Sequence, residues 1–128
     1  MILLGNKEYY KGIGQIKYEG KESDNPLAFK YYNPSQLVAG KTMSEHFKFA
    51  VAYWHTFCGV GADPFGPGTQ NFPWDQSDDP LQAAKDKADA AFEFITTMGF
   101  NYFCFHDYDL IQEGPSFLES EKRLSTIV

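Results

Sequence analysis

The segment DPLQAAKDKADAAFEFITTMG, Asp79 to Gly99, carries its own start signal, period and stop signal. Asp79 can cap a helix, and Pro80 suits the first helical position. Leu81, Ala84, Ala88, Ala91, Phe92, Ile95 and Met98 recur at helical spacing, with Lys85, Asp86, Lys87 and Asp89 largely on the opposite side. Gly99 supplies the stop. An amphipathic helix over 80–98 is predicted, its stripe an ordinary core face and not a cofactor box. Such a helix must lie on something, and the sequence places apolar runs on both sides of it. Upstream, Thr42-Met43-Ser44-Glu45 has capping-box spacing, so a helical turn begins there. The following FKFAVAYWHTF suits a continued helix or a strand buried on both faces; we read a short helix and then a strand at about Phe49–His55. Downstream, Phe100–Phe105 has no polar alternation, the mark of a strand in a parallel sheet covered on both faces. Glu113-Gly114-Pro115 is a turn, and another helical start follows at about Ser116–Leu124. The order strand, long loop, helix, strand, turn, helix is a βαβ pattern, and the fold class is α/β.

Two stretches lie outside that unit. Residues 1–40 have no sustained period and are punctuated by Asn25-Pro26, Asn33-Pro34 and Gly40. Their many aromatic rings (Tyr9, Tyr10, Phe29, Tyr31 and Tyr32) suggest an extended N-terminal arm packed on the body formed by 41–128. The stretch GVGADPFGPGTQNFPWDQSDDP holds four glycines and four prolines in 22 residues. It reads as a long loop, 58–79, of the length that tends to carry function. Phe65, Phe72 and Trp74 would be a liability there unless a partner or ligand covers them.

The chain's 128 residues suit one compact unit. Eleven basic against seventeen acidic residues, a net charge of −6, argue against a nucleic-acid binder, whose affinity rests on clustered Lys and Arg. The balance suits a soluble, cytoplasmic protein. Cys58 and Cys104 form no CxxC pair and read as small hydrophobes in a reduced compartment. The start, MILLGNKEYY, lacks the basic residues and longer apolar stretch of a signal peptide. No apolar run approaches transmembrane length, so no membrane partner is expected.

In α/β folds, chemistry gathers at the carboxyl ends of the strands. Trp54-His55 stands after the first predicted strand and HDYD, His106 to Asp109, after the second. An Asp three residues beyond His106, past a tight turn, can fold back to one ring nitrogen. It would fix the tautomer and leave the other nitrogen for substrate, as proton transfer requires. The same spacing also fits a surface histidine beside solvated acids. His55 has no carboxylate near it in sequence, and His46 lies in the capped turn. No HExxH, Cys cluster or EF-hand loop is present, and Asp107 with Asp109 is too little for a hard cation.

Several stretches resemble the xylose isomerase family, in its larger, longer-armed class. They are QIKYEG (15–20), NPLAFKYYNP (25–34), GKTMSEH (40–46), FAVAYWHTF (49–57), GADPFG (61–66), FPWD (72–75), AAFEF (90–94) and YFCFHDYD (102–109). They run in order along nearly the whole chain and resemble the family's N-terminal portion. Phe72 departs from the family's usual Arg, and Gln112 from its usual Pro. The resemblance implies a (β/α)8 TIM barrel that interconverts aldose and ketose sugars, xylose or glucose, by ring opening and a hydride shift. It implies two divalent ions (Mg2+, Mn2+ or Co2+) and a homotetramer. Carried over, His106 is the ring-opening histidine and Asp109 its orienting carboxylate. Trp54 is an aromatic wall of the sugar pocket, and Phe65 reaches into the neighbouring subunit's pocket. A barrel needs about 250 residues. This chain therefore holds the arm and the first two β/α units, and the family's metal ligands are expected beyond Val128. The competing expectation is a truncated remnant or split-barrel fragment that serves as an interaction module.

Overall fold

The computed structural model describes residues 6–128, so the first five residues of the arm lie outside it. The elements in chain order are β1 (Leu37–Val38), β2 (Lys41–Thr42), α1 (Met43–His46), β3 (Ala50–Ala52), a π-helical turn (Trp54–Cys58), α2 (Pro80–Met98), β4 (Tyr102–Cys104), α3 (Asp107–Leu110) and α4 (Phe117–Ile127). β3 and β4 pair in parallel, Ala50 opposite Tyr102, Val51 opposite Phe103 and Ala52 opposite Cys104. A parallel pair needs a crossover, and α2 is that crossover. No closed barrel is formed by the described residues, whose strands make two two-stranded sheets.

Local signals set α2. Asp79 Oδ1 accepts from the Leu81 N–H, Pro80 is the first helical residue, and Gly99 ends the helix at φ 70°, a left-handed conformation natural to glycine. α1 has its capping box, the Glu45 carboxylate accepting the Thr42 N–H while Thr42 Oγ1 accepts the Glu45 N–H. The other face of α2 is not simply solvated. Asp89 accepts the N–H groups of Asn6 and Lys7, and Glu93 accepts those of Tyr9 and Tyr10. Asp86, expected on the outer side, is buried, where Lys7 and Gln82 satisfy its carboxylate. A line of carboxylates thus ties residues 6–10 along the helix, and Ile16 N–H extends the contact to the Thr97 carbonyl.

The core joins Val51, Tyr53, Phe57, Phe72, Trp74, Ala90, Ala91 and Ile95. It corrects three expectations. First, the strand predicted at Phe49–His55 stops at Ala52. Tyr53 and Phe57 are both buried, and helical winding puts residues four apart on one face. A continued strand would have drawn His55 to that face too; wound, it is exposed. Second, Phe72 and Trp74 are not loop aromatics awaiting a partner. Their rings stack at 4.7 Å inside the core, and Trp74 Nε1–H donates to the Phe57 carbonyl at 3.0 Å. Third, β4 covers only Tyr102–Cys104 and is exposed along its length, because a two-stranded sheet lacks the second neighbour and second helical layer that would bury it. Cys104 is accordingly exposed, while Cys58 is half-buried.

Candidate active site at the carboxyl ends of β3 and β4

Because β3 and β4 are parallel, their carboxyl ends open on one side. Trp54 begins the π-helical turn there, two residues past β3, and His106 lies two residues past β4. The two rings meet, with centroids 4.6 Å apart and planes at 45°. His106 is still extended (φ −100°, ψ 162°), and α3 starts at the next residue. That single helical turn brings Asp109 back. Its Oδ2 accepts the His106 backbone N–H at 2.7 Å and lies 2.9 Å from His106 Nδ1. The Asp109 N–H in turn donates to the His106 carbonyl at 3.1 Å. One carboxylate oxygen therefore fixes both the backbone and the ring of the histidine.

Burial differs sharply across the pair. The Asp109 side chain is 3% exposed and that of His106 52%. A buried carboxylate needs its partners; the imidazole's far edge is open to solvent. With a carboxylate at Nδ1, the neutral ring carries its proton there and Nε2 is left as the acceptor. Behind Asp109, the Cys58 thiol donates to the Asp109 carbonyl at 3.6 Å, and Lys87 Nζ approaches the same sulfur at 3.7 Å. Burial pushes the Cys58 thiol up, so it remains a neutral donor. Burial also pushes the Tyr53 phenol up, and its hydroxyl has no partner among the described residues.

The other residues singled out in the sequence lie as follows. Asp107 is the first residue of α3, and not an extended strand end; its exposed carboxylate accepts the Tyr108 N–H at 2.9 Å. His55 stands beside Trp54 at 5.4 Å between ring centroids, away from the carboxylate. His46 Nε2 meets the Val38 carbonyl at 2.8 Å. Phe65 is 96% exposed at a loop tip held by Asp63, whose Oδ1 accepts the Phe65 and Gly66 N–H groups. It makes no ring contact among the described residues. Sequence reasoning missed Tyr108, whose ring lies nearly parallel to His106 (5°) at 5.6 Å. Nothing in the spacing alone signals that contact.

Among the described residues, no three His, Cys, Asp or Glu side chains gather so as to hold a metal ion. The described residues do not fit the two-ion site that the resemblance implies. A groove of about 680 Å3 lies at the opposite, amino end of the strands, lined by Phe49, Phe100 and Tyr102 with Tyr18, Phe29 and Tyr32 of the arm. It does not reach His106. No described helix is long and apolar enough to cross a membrane.

No family model matches the chain. Individual relatives do. Xylose isomerase 2 of Xanthomonas campestris pv. campestris (strain 8004) is 56% identical over 127 residues, 99% of this chain and 28% of the relative. Xylose isomerase 1 of Xanthomonas axonopodis pv. citri (strain 306) is 56% identical over 127 residues, 99% of this chain and 29% of the relative. The xylose isomerase of Xanthomonas oryzae pv. oryzae (strain MAFF 311018) is 54% identical, again over 99% of this chain and 28% of the relative. The chain thus spans less than a third of the length of the curated relatives it matches. Along 127 residues it is a homologue of the xylose isomerases, corresponding to a portion of such a protein.

Proposed function

We propose that this chain is the N-terminal portion of an aldose–ketose isomerase and carries its ring-opening residues. The observation that supports this most is the contact of Asp109 Oδ2 with His106 Nδ1, beside Trp54, at the shared carboxyl ends of two parallel strands. The substrate is a cyclic aldose, xylose by the names of the relatives and glucose by the same chemistry. His106 Nε2 accepts the proton of the anomeric hydroxyl. The bond from the anomeric carbon to the ring oxygen breaks, a carbonyl forms, and the proton is returned to the ring oxygen, so that atoms and charge balance. Asp109 holds the ring's tautomer and balances the charge it carries while protonated. The Trp54 indole forms an apolar wall that limits water at the reacting carbons.

The described residues offer no ligand set for the divalent ions the resemblance implies, and the proton-transfer step we assign to them is ring opening. In this reading the complete protein is a cytoplasmic homotetramer, and Phe65 enters a neighbouring subunit's sugar pocket, consistent with its exposed, turn-braced position. No observation specifically favours the competing interaction-module reading. The test is an assay of xylulose formation with excess Mg2+. The longer protein carrying this sequence is expected to turn over xylose and the isolated chain is not. A longer protein without activity on any aldose overturns the reading.

A further inference from the structure

The Asp109 contact fixes His106 at one ring atom. A histidine held only at Nδ1 can still rock, because the torsion to an imidazole ring is broad. Half its surface is open, so solvent does not restrain it. Two rings lie against it: Trp54 at 4.6 Å, tilted by 45°, and Tyr108 at 5.6 Å, within 5° of parallel. Tyr108 is itself 63% exposed, and His106 is its one ring neighbour among the described residues. Its backbone is fixed by the start of α3, where the Asp107 carboxylate accepts its N–H. An offset, near-parallel pair at this separation is a favourable aromatic geometry.

We propose that Tyr108 is a positioning residue that, together with Trp54, holds the plane of the His106 imidazole so that Nε2 keeps one direction. The hydroxyl takes no part; the ring face does. The geometric part of this inference stands by itself, and its consequence for catalysis rests on the isomerase reading above.

The geometry is read from 1H–13C NMR spectra of the chain labelled in its histidine rings, in solution or on sedimented protein under magic-angle spinning. Ring currents from Trp54 and Tyr108 are expected to place the His106 signals upfield of those of His46. They are expected to stay there in Tyr108→Phe and to move downfield in Tyr108→Ala. Signals that do not move in Tyr108→Ala, or that move equally in both variants, overturn the proposal. In the longer protein, Tyr108→Ala is expected to lower kcat about 10-fold, short of the roughly 10²-fold that a misplacement of about an ångström can cost. KM should change little, and Tyr108→Phe should restore the rate. A raised KM with unchanged kcat would make Tyr108 a sugar-binding residue instead and overturn the positioning role. A longer protein with the expected NMR shifts and no isomerase activity overturns the isomerase reading and leaves the ring contact standing.

Discussion

Two aspartates flank Tyr108 and differ in everything but charge. Asp109 is buried and holds His106 through one oxygen; Asp107 is exposed and serves the next N–H of its own helical turn. Asp109→Asn in the longer protein is therefore expected to lower kcat on cyclic aldose far more than Asp107→Asn. The loss should fall within or somewhat below the 10²–10⁴-fold that general acid–base help is worth, roughly. Asparagine keeps the shape at 109 but loses the charge, and its amide N–H favours the wrong tautomer. An open-chain substrate should lose less, since ring opening is the step assigned to the pair. The kcat of both variants, with metal content checked, decides the matter; a larger loss in Asp107→Asn would sink the pairing. The contact of Asp109 with His106 was legible in the sequence because it is local, three positions across one turn. The Tyr108 contact was not, because it depends on side-chain torsions that spacing does not fix. Nor was the Cys58 thiol behind Asp109, which only the packing of the π-helical turn brings near.

At the scale of elements, α2 was legible because its cap, period and stop all lie within the segment itself. The end of β3 was not. Whether Tyr53 and Phe57 continue a strand or wind into a turn is decided by the core they share with Phe72 and Trp74, which come from another part of the chain. The β1–β2 hairpin was missed for a different reason. Val38 pairs with Lys41, leaving a two-residue loop of Ala39 and Gly40, both at positive φ (50° and 80°), as a type I′ turn requires. The sequence signal for that turn is Asn-Gly or Asp-Gly, and alanine at the first position hides it. Alanine also pays for its Cβ there. Ala39→Asn is expected to stabilise the protein by about 0.5–1 kcal/mol. Chemical denaturation should show a higher midpoint at unchanged slope. A lower midpoint would mean that the hairpin does not hold this turn in solution.

For the whole molecule, the surface is large for a single folded chain of this mass. A folded monomer of this mass exposes about 6,900 Å2 by the usual scaling, whereas this chain exposes 9423 Å2. The excess, roughly 2,500 Å2, is of the order that permanent interfaces bury. Its chemistry agrees. Among the described residues, ten apolar side chains are buried and seventeen large ones are exposed, so the core is outweighed by what it leaves uncovered. Tyr102, Phe103 and Phe105 lie in or beside β4, and Phe47 and Phe49 just before β3. The β3–β4 sheet has two strands, so each also leaves an edge of backbone N–H and C=O groups unpaired. Open apolar edges of this kind pair with other chains. The isolated chain is therefore expected to self-associate at micromolar concentration and to bind a hydrophobic dye such as ANS. The net charge of −6 opposes association, but salt screens it within about 10 Å at 0.1 M, while the apolar contacts persist. Association should therefore increase with salt, and sedimentation velocity at low and high salt measures it. A monodisperse monomer at both, with a cooperative thermal transition and no dye binding, would show that the β3–β4 face needs no cover. The excess surface would then belong to the extended arm and loop, and not to an incomplete sheet.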